Sequence, residues 1–177
     1  MSEVAAMTHT RRRLILRGGA IAGVVGGVVI SLLAAVTNAL RGQDVWRVFK
    51  VAAYPFLHQR VTSPGFDAVP LALGLVDHFA VSIICGILFA ELAFGLSRWA
   101  TVGFGAVWGL LVLFAMTYLV LPMAGAVRLE DRMAVGSMVV EHVMFGIAVG
   151  LAFVPFQRLE ARPTHHWAPG RRESRMA

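Results

Sequence analysis

A chain of 177 residues with 58% hydrophobic content, 15% charged residues and a mean hydropathy of +0.72 is too apolar for an ordinary soluble domain, where about 45–50% is typical. The length fits one domain without a large extramembrane module. The net charge of +6 comes from arginines at the N-terminus, in short loops and in the tail, which points to anionic lipid and away from nucleic acid as a partner.

Residues 1–17 read as a basic N-terminus carrying Arg11, Arg12, Arg13 and Arg17. The triplet before Leu14-Ile15-Leu16 has the look of a twin-arginine export signal. The apolar run behind it is longer than the roughly 7–15 residues of a signal core, so it reads as an uncleaved first helix. That run, 18–40, carries Gly19, Gly23, Gly27, Ser31, Ala34 and Asn38 on one helical face, a smooth stripe for close packing against another helix. Residues 43–67 form the one sizeable loop. Apolar Val45, Trp46, Val48, Phe49 and Val51 alternate with Arg47 and Lys50, as in a short interfacial helix whose basic residues face water.

Three more apolar runs follow, at 70–96, 99–121 and 133–156. Each is long enough to cross about 30 Å of hydrocarbon, which takes roughly 20 residues. Backbone groups in lipid must be satisfied within the segment, so the runs predict helices. The second holds Asp77, His78 and the single cysteine, Cys85, which excludes an intrachain disulfide. The third holds Gly105, Gly109, Thr117 and Tyr118; the fourth holds Glu141, His142, Gly146 and Gly150. Residues 158–177, rich in Arg, Pro and Gly, read as a disordered basic cytoplasmic tail. Lys and Arg split ten against six between the two sides, which places both termini in the cytoplasm and the chain in the inner (plasma) membrane. The predicted fold is all-α: a polytopic bundle of four transmembrane helices built from two hairpins.

An acid–histidine doublet occurs twice, as Asp77-His78 and Glu141-His142, and the same offset of 64 positions aligns Gly86 with Gly150 and Phe89 with Phe153. Ionisable side chains in a bilayer are costly and face a bundle interior or a wet cavity. The topology brings Thr37, Asn38, Asp77, His78, Thr117, Tyr118, Glu141 and His142 to one layer in the outer half of the membrane. Adjacent helical residues point about 100° apart, so within each doublet the His faces the interior and the acid an adjacent helix or water. Three readings compete. The cluster is polar glue worth about 0.6 kcal/mol per contact in a structural or accessory protein. Alternatively it is a titrating relay in a small proton- or ion-coupled transporter, for which four helices would need a homo-oligomer. In the third reading His78 and His142 hold a metal or haem, although no resident cofactor is expected. The chain has no HExxH motif, P-loop, dinucleotide fingerprint or serine nucleophile with a local base, so no enzyme is expected.

The run Gly74-Leu-Val-Asp-His-Phe-Ala-Val-Ser-Ile-Ile-Cys-Gly86, the stretch from Gly105-Ala-Val-Trp-Gly109 through Tyr118 and Pro122, and Glu141-His142-Val-Met-Phe-Gly146 carry a resemblance. They resemble an uncharacterised group of small bacterial four-helix inner-membrane proteins. In that group a His-Phe-x-x-Ser-x-x-x-Gly helix and a final His-x-x-x-Gly helix recur. The likeness covers about Gly18 to Phe156 and brings no activity with it. It implies the four-helix topology and draws attention to His78, Tyr118 and His142, with Asp77 a departure toward more charge.

Overall fold

A computed structural model describes residues 3–125 and 135–160, with side chains over 9–125 and 136–157. Helix α1 (Glu3–Leu40) leads to two short helices, α2 (Arg47–Val51) and α3 (Tyr54–Leu57), and a 3-10 turn at His58–Thr62. Helix α4 (Ala68–Ala93) and α5 (Arg98–Ala115) follow. A π-helical turn at Met116–Val120 carries α5 into α6 (Leu121–Met123), and α7 spans Val135–Glu160. No strand occurs among the described residues. Four helices are long and apolar enough to cross a membrane: His9–Leu40, Ala68–Ala93, Arg98–Met123 and Gly136–Gln157.

These coincide with the four apolar runs but differ at the ends. The basic stretch set apart as 1–17 is part of α1 from Glu3 onward, because Ala, Leu and Arg favour helix and neither Gly nor Pro interrupts before Gly18. The Arg11 guanidinium lies over the Phe94 ring at 4.9 Å, which docks this extension on the turn after α4. Helix α4 stops at Ala93, short of Leu96, where Gly95 adopts φ 89° to close the turn. The Ser97 hydroxyl then accepts from the Ala100 N–H at 3.4 Å and starts α5. Met133, Arg128, Arg132 and the tail beyond 160 lie outside the described residues.

Helix α7 packs along both α1 and α5, and α1 along α4, whereas α4 touches α5 and α7 only sparsely. The order around the bundle is therefore α4, α1, α7, α5, with a poorly packed seam between α4 and α5. Both hairpins close through glycine. A methyl on Gly86 would meet the Gly19 carbonyl and the Gly23 backbone, and one on Gly23 would meet the Ser82 carbonyl. In the second hairpin a methyl on Gly146 would meet the Gly105 carbonyl and the Gly109 N–H, and one on Gly109 the His142 carbonyl. Gly23 against Ser82 and Gly86 thus matches Gly105 against Gly146 and Gly150. The doublet repeat in the sequence is a repeat of helix packing.

The half of the bundle near the 94–97 turn is mainly aromatic. Phe89 and Phe153 are fully buried, Phe89 stacks on Phe104 at 5.5 Å, and Phe153 meets Phe89 edge-on at 6.2 Å. At the other end, residues 43–67 fold over the bundle. Gly74 lets the Phe49 carbonyl approach α4 too closely for any side chain, and Ala53, Tyr54 and Val61 form a small core with Leu121 beside them.

Arg47 and Lys50 do not both face water, as the alternation suggested. Lys50 is 1% exposed: its ammonium pairs with Asp44 at 3.1 Å and donates to the carbonyls of Ser63 at 2.5 Å and Gly65 at 2.6 Å. The buried charge is tolerated because all three donors are used. Burial pushes the Asp44 carboxyl up, but hydrogen bonds from Lys50 and from the Trp46 and Gly65 N–H groups outweigh it and hold it below the usual carboxylate value. A carboxyl depressed in the folded state stabilises fully above its unfolded value, about 3.9, and loses that contribution as pH falls through the folded value. Amide-exchange protection over 43–67 is expected to be level from pH 7 to about 4.5 and to drop in more acid buffer. Protection that stays constant down to pH 2 would show that the Asp44–Lys50 knot does not hold this segment.

Candidate functional site

The folded 43–67 segment caps a cavity of about 240 Å³ within the loop-end half of the bundle. All four long helices contribute. Helix α1 gives Ile30, Ser31 and Ala34; α4 gives Asp77, His78, Val81, Ser82 and Cys85; and α7 gives Glu141, His142 and Phe145. Val112, Met116 and Val120 come from α5 and its π-turn, and Val48, Val51, Tyr54 and Pro55 close the top. Pro122 accounts for the π-turn. It has no N–H to donate, and its ring crowds the carbonyl four residues back, so the helix takes up an extra residue there.

His78 is tied to α1: its Nε2 lies 3.1 Å from the Gly27 carbonyl and 3.0 Å from the Ser31 hydroxyl. A carbonyl only accepts, so the Gly27 bond requires Nε2 to carry a proton. His142 is tied to its own helix, with Nδ1 donating to the Met138 carbonyl at 2.8 Å. In the neutral ring that leaves Nε2 of His142 as an unused acceptor. His142 and His78 line the same cavity. Asp77 interacts electrostatically with His78 and has no hydrogen bond among the described residues. Glu141 is 8% exposed and sits beside the Thr37 hydroxyl of α1 and Arg41, just past the end of that helix.

Glu141 also lines a second cavity of about 80 Å³ that holds Asn38, Arg41, Gln43, Arg47 and Ser137. It therefore stands between an arginine-bearing vestibule and the larger chamber. Ala34, Val48 and Val51 are shared by the two cavities as well.

Of the eight polar groups expected in one layer, Asp77, His78, Glu141 and His142 line the larger cavity. Asn38 lies in the vestibule and Thr37 beside Glu141. Tyr118 stands apart, 68% exposed and packed on Phe114 at 4.8 Å, and Thr117 lines neither cavity. The lining positions of that helix, Val112, Met116 and Val120, fall four apart on one face, and Tyr118 sits between two of them on another. The lid residues were not anticipated as cavity walls, although Gly74, one turn before His78, was a readable sign of close backbone approach on α4. Among the described residues no three His, Cys, Asp or Glu side chains gather as a metal-binding group.

The His78–Ser31 contact predicts coupled mutational effects. His78→Ala and Ser31→Ala should each lower thermal stability in detergent, with a coupling of about 0.6 kcal/mol in a double-mutant cycle. Strict additivity would mean that the two side chains do not interact.

A family model described as a family of unknown function (DUF6789) matches residues 15–167. No curated protein and no solved structure matches the chain.

Proposed function

Because the protein belongs to that family of unknown function, the site has to speak for itself, and we propose a multi-pass inner-membrane protein that holds a small amphipathic molecule in its loop-end cavity. It acts by binding, without catalysis, as an accessory component. Both termini and the 94–97 turn face the cytoplasm, where the basic ends meet anionic lipid; the excess of Lys and Arg on that side supports this orientation. The observation that carries the reading is the chamber of about 240 Å³, whose apolar walls are interrupted by Asp77, His78, Glu141 and His142. Ligand sites are concave and mostly apolar, with a few placed polar groups.

Phenethyl alcohol is a suitable neutral probe. Saturable binding to detergent-solubilised protein, above that of empty micelles, is expected in the native chain and lost in Val112→Trp, which fills the chamber. Absence of saturable binding in the native protein would remove the reading. Labelling of Arg98→Cys, in a Cys85→Ser background, only from the cytoplasmic side checks the orientation.

A second reading, a proton or ion relay, is favoured by one observation: Glu141 borders both the vestibule and the chamber. Proton flux in proteoliposomes that is abolished by Glu141→Gln would support it. A dimeric native mass in detergent would supply the extra helices such a carrier requires.

A further inference from the structure

The chemistry of the chamber also narrows what enters it, an inference that rests on the binding reading above. We propose that the ligand is a small primary amine in its protonated form, with its ammonium set against Asp77 and its apolar body among the α1, α5 and α7 side chains.

Charge comes first. The lining contains two carboxylates, Asp77 and Glu141, and no Lys or Arg. Glu141 has Arg41 nearby, whereas Asp77 has no Lys or Arg beside it, and its titratable neighbour, His78, spends an N–H on the Gly27 carbonyl. A carboxylate in a low-dielectric wall without a permanent cation favours a cationic guest and disfavours an anionic one.

Hydrogen-bonding capacity points the same way. The histidine N–H groups and the tyrosine O–H of the chamber are used within the protein, and the Ser31 and Ser82 hydroxyls can turn a lone pair as well as a proton toward a guest. His78 Nε2–H is shared between the Gly27 carbonyl and the Ser31 oxygen, and the Tyr54 hydroxyl donates to the Gly125 carbonyl at 3.3 Å. His142 spends its one neutral N–H on Met138 and turns a lone pair outward. Acceptors remain: the Asp77 and Glu141 oxygens and His142 Nε2. A group with three N–H donors and no acceptor, an ammonium, complements them.

Size and access complete the case. At about 30 Å³ per water-sized group, 240 Å³ holds roughly eight non-hydrogen atoms, the size of a small amine. The vestibule route passes Arg41 and Arg47, which repel a cation. The cavity is lined from α4 by Asp77 and Val81 and from α5 and its π-turn by Val112 and Met116, all partly exposed, and no Lys or Arg lines it on that side. An amphipathic amine dissolved in the bilayer interface reaches Asp77 from that side.

Three probes of one shape test the proposal on the full chain in detergent: phenethylamine, phenethyl alcohol and phenylacetate at pH 7, each corrected for uptake by empty micelles. Phenethylamine is expected to bind about tenfold more tightly than the alcohol, as a hydrogen bond to a charged group allows, and phenylacetate most weakly. Asp77→Asn should abolish the advantage of the amine over the alcohol, with a monodisperse elution profile in detergent verifying that the variant is folded; a tenfold preference retained in that folded variant would also overturn the proposal. Equal affinity of the native protein for amine and alcohol would overturn the amine proposal and leave the binding reading standing. Binding of neither would overturn both.

Discussion

Gly146→Leu is expected to prevent the bundle from assembling. Any side chain at this position falls on the Gly105 carbonyl and the Gly109 N–H, so the intruding group meets backbone with no rotamer to move aside. Overpacking a tight core costs about 1–3 kcal/mol and more where backbone must shift. Helices in lipid have no hydrophobic drive to associate, so losing close contact removes much of what holds α5 to α7. The protein should lose its monodisperse peak in detergent or unfold far below the native temperature. Gly103→Leu is the matched control: it lies in α5, the helix that Gly146 packs against, with nothing within 4 Å of an added side chain, and it should leave the unfolding temperature unchanged or raise it. Equal behaviour of the two variants would mean that α5 and α7 do not meet through these glycines.

Lys50→Met is expected to release the 43–67 segment while the four long helices stay packed. The substitution strands the Asp44 carboxylate and the carbonyls of Ser63 and Gly65, which share one ammonium in the native fold. Removing one partner of a buried pair costs about 3–5 kcal/mol. The 20% exposure of the Asp44 side chain puts this case toward the lower end. Protease cleavage should become rapid within 43–67 and remain slow in α1, α4, α5 and α7. The capped chamber would open with the lid, so affinity for phenethyl alcohol should fall as well. A lid that resists protease in Lys50→Met would show that Gly74 and the Tyr54 core hold it unaided.

The spans were legible in the sequence because lipid imposes a length and an unbroken apolar run, and the glycine stripes because small residues four apart share a face. Depth was legible too: Asp77, His78, Glu141 and His142 meet in one chamber as the hairpin arithmetic implies. Azimuth was not. Tyr118 lies at the right depth but points outward, since the face that lines the chamber is set by Val112, Met116 and Val120 through a π-turn no periodicity announces. Lys50 was misread for a related reason. Its burial depends on backbone carbonyls delivered by the turn at Gly65, with φ 83°, and the sequence around Lys50 carries no trace of them. The seam between α4 and α5 departs from the two-fold repeat that the doublets suggest, because α1 packs on α7 while its counterpart pair does not close.

Cys85 offers the most direct test that the four ionisable residues share a chamber reached from outside. It is the single cysteine of the chain and lines the chamber one turn below Ser82. Native protein in detergent should react at Cys85 with a small cationic thiol reagent, ethylammonium methanethiosulfonate, about tenfold faster than with the ethylsulfonate anion of the same size. Phenethylamine should slow the cationic reaction in proportion to its occupancy. A thiol that reacts only after unfolding, or one that reacts at equal rates with both reagents and without protection, would contradict an accessible acidic chamber between these helices.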